Sequence, residues 1–159
     1  MKILFKSLIL VTLIFSFSCK ESSDQNANEE AVAEIEVIEP AISSEQTKAV
    51  LEHHLKAFGE NDLAGIMEDY TAESILVSPD STYIGLESIE SLFAGMFPAF
   101  PTEGTVMEID NMVIQDELAY ILWHADTPAL DVPFATDTFI IVDGKIMKQT
   151  FAGVINPKE

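Results

Sequence analysis

The chain of 159 residues contains no arginine and only 8 lysines against 27 aspartates and glutamates, a formal net charge of −19. Nucleic-acid binding is excluded at once, because clustered basic side chains are what release counterions from phosphate. Electrostatic attraction to anionic lipid headgroups is excluded on the same ground. A single cysteine rules out an intramolecular disulfide framework and a multi-Cys zinc site. Histidine is scarce too: His53 and His54 are neighbours that diverge by about 100° on a helix, and His124 is far away in sequence. No metal is therefore expected, and with no Gly-rich phosphate loop and no internal repeat, no cofactor either. The longest apolar run, Leu8 to Phe17, falls short of the roughly 20 residues a spanning helix needs.

That run nevertheless has a meaning. Lys2 and Lys6 precede it and the small residues around Ser18 and Cys19 close it, the order of a secretory signal. The lone Cys19 directly after such a segment resembles the acceptor cysteine of bacterial lipoproteins, although Ser16 stands where those signals usually carry leucine. The resemblance implies residues 1–19 as signal peptide, lipidation of Cys19, and an exported protein anchored to the cell envelope on its periplasmic face or at the cell surface. Between residues 20 and 45 there are eight acids, one lysine and no aromatic residue. Such a stretch buries too little apolar surface to offset its ordering entropy, so residues 20–43 are expected to be an acidic disordered tether.

The folded domain is expected from residue 44 to 159. Ser43-Ser44-Glu45-Gln46 has the form of a capping box, and Leu51, Leu55 and Phe58 recur at helical spacing with His54 on the same stripe. Gly59 ends that helix, Asn61-Asp62 caps a second, and Gly85 introduces a third with Leu86, Ile89, Phe93 and Met96 on one face. A strand over residues 74–78 meets the turn Pro79-Asp80-Ser81. Strands then follow over 106–114, 118–127, 134–142 and 146–154, the last two joined by Asp143-Gly144. Helices grouped early and long strands late predict an α+β fold with three helices packed on one face of a curved antiparallel sheet.

The segments running from Ala49 to Phe93, from Ala119 to Thr127 and from Ala135 to Gly153 resemble the SnoaL-like branch of the nuclear transport factor 2 superfamily. Ala57-Phe58 before Asn61-Asp62-Leu63, Gly85 before Ile89, and Asp137 leading into Asp143-Gly144-Lys145-Ile146 carry it best. The resemblance implies a cone whose sheet wraps the helices and leaves an apolar pocket, and a homodimer formed through the sheet. The superfamily includes polyketide cyclases, ketosteroid isomerases, dehydratases and proteins without known activity, so it defines fold better than function.

Proton transfer beside a carbonyl, the chemistry of such cyclases and isomerases, needs a carboxylate or imidazole tuned by an apolar pocket. Asp137 falls where the isomerase carries its pocket-facing acid, but Ser78-Pro79 occupies the place of the isomerase base, which argues against steroid isomerisation. A plain two-residue turn at 143–144 would set Asp137 opposite Thr150 and diagonal to Lys148, giving it a structural partner instead. Strand alternation sends Ala119, Ile121, Trp123 and Ala125 to one face and Tyr120, Leu122, His124 and Asp126 to the other. If the first set faces inward, Trp123 is a pocket wall; if the second does, His124 and Asp126 form an acid–base pair. His54, Tyr70, Tyr83 and Phe139 are further candidates for pocket lining.

Three functions remain open at this level. One is a lipid-anchored domain binding a small apolar molecule without chemistry. Another is a proton-transfer enzyme using Asp137, or His124 with Asp126. The third is a non-catalytic dimerisation module.

Overall fold

In the computed structural model, residues 44–159 are described; the signal segment, Cys19 and the acidic stretch to residue 43 lie outside the described residues. Helix α1 (Ser44–Gly59) is followed by α2 (Leu63–Glu68), strands β1 (Ile75–Val77) and β2 (Thr82–Ile84), helix α3 (Leu86–Met96) and a 3-10 turn at Phe97–Ala99. Four long strands complete the domain: β3 (Val106–Gln115), β4 (Leu118–Asp126), β5 (Leu130–Val142) and β6 (Lys145–Pro157). The sheet order is β2-β1-β6-β5-β4-β3. The class is α+β, as expected, with one difference: the sheet is mixed, because β1 runs parallel to β6.

Local chemistry accounts for the helix ends. Asp62 caps α2 by accepting a hydrogen bond from the Gly65 amide at 3.0 Å. Gly85 precedes α3 with φ of 76°, and a side chain there would meet the Ala72 carbonyl oxygen at 3.0 Å, so glycine is required on both counts. The start of α1 is tied to the β3–β4 turn, where Ser44 Oγ accepts from the Asp116 amide.

The apolar stripes of the helices meet the inner face of the sheet. Leu51 of α1, Ile66 of α2 and Ile89 of α3 are fully buried, together with Ile121, Phe139, Ile141 and Ile146 from the strands. At about 1.5–3 kcal/mol for each such side chain, these residues provide the main driving force for closing the helices onto the sheet. Register shifts interrupt the ladders at Ile109/Asn111, Trp123/Ala125, Asp131/Phe134 and Ile140/Ile141. Such bulges bend strands and increase their twist, which lets the sheet curl around the helices.

Several sequence expectations are corrected in detail. The segment after Ser81 forms β2, a short edge strand paired with β1. Strand β5 begins at Leu130 rather than Phe134, because Pro133 lies within the Asp131/Phe134 register shift, where its missing N–H costs no ladder bond. The expected pairing of Asp137 with Thr150 does not occur. Ile141 pairs with Ile146 but Ile140 pairs with Lys148, so Met147 is an extra residue on β6 and Asp137 stands opposite Phe151. The same bulge reverses the facing of the residues that follow: Gln149 is buried, whereas Lys148 and Thr150 are exposed.

Candidate functional site

A cavity of about 570 Å³ lies between the helices and the inner face of the sheet. Its walls are largely apolar, with Phe58 of α1, Phe93 and Met96 of α3, and Ile121, Phe139 and Phe151 of the sheet. The polar side chains on it are few: His54, Ser78, Asp80, Asp137 and Gln149, with the indole of Trp123.

Asp137 is the centre of this polar set. It is 6% exposed, and each carboxylate oxygen accepts one hydrogen bond. Trp123 Nε1 donates to Oδ2 at 2.8 Å and Gln149 Nε2 donates to Oδ1 at 2.8 Å. The buried Tyr70 hydroxyl in turn donates to Gln149 Oε1. A phenol at this position orients the amide, since a Gln149 whose carbonyl accepts from Tyr70 can present only its NH2 to the carboxylate. Burial pushes the Asp137 carboxyl above its ordinary value of 3.8, against the opposing pull of the Gln149 and Trp123 hydrogen bonds and of His54. The Tyr70 hydroxyl is held well above its usual range, first by burial and then by the nearby carboxylates of Asp137 and Asp69.

His54 sits on the opposite wall, edge-on to Tyr70, Phe93 and Phe139. Its Nδ1 is 3.4 Å from Asp69 Oδ2 but makes no aligned hydrogen bond with it. Asp69 is itself buried and contacts His53 Nδ1 at 2.8 Å through Oδ1.

Of the residues singled out by sequence, Asp137, Trp123, His54 and Phe139 converge on the cavity. Tyr70 stands one layer behind it through Gln149, and Tyr83 packs half-buried against the core from β2 without lining the cavity. His124 and Asp126 are not brought together. They lie on the outer face of β4, His124 Nδ1 2.9 Å from Asp110 Oδ2 and Asp126 accepting from Lys158 Nζ at 2.7 Å. The Asp110 hydrogen bond raises the His124 pKa from its ordinary 6.5. Sequence reasoning does not find Gln149 or Asp69: Gln149 stands between Lys148 and Thr150 with nothing to single it out, and Asp69 is marked only as an acid just before Tyr70. Ser78 and Pro79, where the isomerase base would stand, do face the cavity. Among the described residues no three His, Cys, Asp or Glu side chains converge so as to hold a metal ion, and no helix is long and apolar enough to cross a membrane.

The fold agrees with what comparison with known proteins shows. The SnoaL-like domain family matches residues 51–149, and the chain belongs to that family. No curated protein sequence matches it. Among solved structures it is similar to a candidate ketosteroid isomerase from Kribbella flavida, at 10% identity and a TM-score of 0.60, covering 72% of this chain and 82% of that one. It is similar also to an NTF2-like protein of unknown function from Mesorhizobium loti, at 19% identity and a TM-score of 0.59, covering 70% and 93%. A candidate SnoaL-like polyketide cyclase from Shewanella putrefaciens aligns with a TM-score of 0.57 at 11% identity, covering 68% and 79%. At these identities the likeness concerns the fold.

Proposed function

We propose that this SnoaL-like domain binds a small, predominantly apolar molecule in the cavity, with the polar end of the ligand directed at Asp137. The carrying observation is an open apolar chamber of about 570 Å³ with one buried carboxylate held in place by Trp123 and Gln149. Apolar walls supply affinity and a few fixed polar atoms supply orientation, which is the usual division of labour in ligand pockets. Trp123 is the single tryptophan of the chain and forms part of the wall, so its fluorescence reports occupancy; a saturable emission change on titration with an apolar ligand tests the reading.

The burial of Asp137 favours a second reading, proton transfer at the bound ligand. Its carboxyl is shifted upward by desolvation, the direction a general acid or base working near neutrality requires. The pair His124 and Asp126 has no part in it, being on the other face of the sheet.

The remainder of the proposal concerns placement. A lipid on Cys19 would hold the domain at the envelope, with the acidic segment as spacer, an attachment that needs no positive charge. The homodimer implied by the family would use the outer face of the sheet, where Phe134 and Val154 pair across β5 and β6 and are each about half exposed, 49% and 50%.

A further inference from the structure

The hydrogen-bond and charge inventory of the cavity narrows the class of ligand, an inference that rests on the binding reading above. Among the described residues no lysine lines the cavity, and the chain has no arginine. Two carboxylates, Asp137 and Asp80, do line it. The bulge at Met147 is what removes the nearest cation: it turns Lys148 outward and puts neutral Gln149 beneath Asp137. Among the described residues His54 is the sole basic side chain on the wall, and its Nδ1 lies 3.4 Å from Asp69 Oδ2.

Among the described residues Asp137 therefore forms no ion pair, and His54 acts on it only from a distance. A carboxylate has about four acceptor positions, and Trp123 and Gln149 occupy two of them. Both partners are pure donors toward it, so what the site has left to offer a ligand is acceptor capacity. An ammonium group supplies donors and countercharge together, and charge-assisted hydrogen bonds are the stronger kind. An anionic ligand meets the reverse, a desolvated carboxylate with no lysine or arginine to compensate it. The field of a protein with net charge −19 acts in the same direction, concentrating cations and repelling anions.

We infer that the cavity selects apolar amines: compact hydrocarbon molecules bearing a single primary or secondary ammonium group, seated with the nitrogen at Asp137 and the hydrocarbon against the phenylalanine walls.

The test is titration of the full chain with 1-adamantanemethylamine, 1-adamantanemethanol and 1-adamantanecarboxylate at neutral pH, followed through Trp123 emission. These probes share one rigid hydrocarbon and differ in the polar group. The expected order is amine, then alcohol, then carboxylate, with about a tenfold step in Kd from amine to alcohol. In Asp137→Asn the step from amine to alcohol should shrink to about threefold or less. Should that variant not fold, the order measured on the native chain stands as the test by itself. Equal binding of amine and alcohol, a carboxylate that binds tightest, or an amine preference that survives in folded Asp137→Asn would each overturn the inference while leaving a binding cavity. If no probe binds, the cavity reading itself fails and the selectivity fails with it.

Discussion

The indole of Trp123 on β4 and the carboxylate of Asp137 on β5 are joined by a 2.8 Å hydrogen bond inside the cavity wall. They are diagonal neighbours, since Ile121 is the residue directly opposite Asp137 and Ala135 the one opposite Trp123. Gln149 completes the arrangement from β6, so three adjacent strands each contribute one side chain. The sheet itself, rather than a loop, therefore fixes the position of the carboxylate.

Removing that acceptor has a stability cost. Asp137→Leu leaves both the Trp123 and Gln149 N–H groups buried without a partner, and each orphaned donor costs about 1–3 kcal/mol. Urea unfolding should show a loss within that range or up to twice it, whereas a loss under about 0.5 kcal/mol would mean that the network is not formed.

The upward shift of Asp137 has a definite sign in stability. A carboxyl that holds its proton more tightly when folded stabilises most fully below its ordinary value of 3.8, and this contribution is lost as pH rises through the folded-state value. The difference in unfolding free energy between the native chain and Asp137→Asn should therefore fall as pH is raised from about 3 through the acidic range. A difference independent of pH, or rising with it, contradicts the desolvation argument.

Tyr70 acts on the site through Gln149. Tyr70→Phe keeps the ring contacts with His54 and Phe93 but removes the donor to Gln149 Oε1. The expected cost is about 1–3 kcal/mol, together with a shifted Trp123 emission as the freed amide reorients. An unchanged spectrum would detach Tyr70 from the network.

Gly95 lines the cavity from α3, and a Cβ there meets open space. Gly95→Leu is expected to gain about 0.5–1 kcal/mol of helix stability while weakening ligand binding by occupying the cavity. Thermal unfolding and the Trp123 titration read the two effects separately, and undiminished binding would locate the ligand elsewhere.

The proposed envelope anchoring would depend on one atom, the Cys19 sulfur. Cys19→Ser should move the protein from the membrane to the soluble fraction of cells, and unchanged partitioning would rule lipidation out.

Much of this fold was legible in the sequence because its periodicities are strong. The stripe Leu51, His54, Leu55, Phe58 and the alternation around Trp123 each depend only on neighbours in the chain, and both are observed. What was not legible depends on registers between strands. The single extra residue Met147 moved Asp137 from Thr150 to Phe151 and exchanged Lys148 for Gln149, and nothing in the local sequence Lys145 to Thr150 marks a bulge. The parallel pairing of β1 with β6 was invisible for the same reason, joining segments about 70 residues apart. Asp69 was missed because its partners His53 and His54 belong to another helix.

The central claim, a ligand-binding cavity centred on Asp137, is tested most directly by titrating the full chain with 1-adamantanemethylamine, 1-adamantanemethanol and 1-adamantanecarboxylate in turn while following Trp123 emission. A saturable, one-site change that is strongly weakened in Gly95→Leu is the predicted result. An emission that responds to none of the three probes up to their solubility limits, with the chain shown folded by circular dichroism, would contradict it.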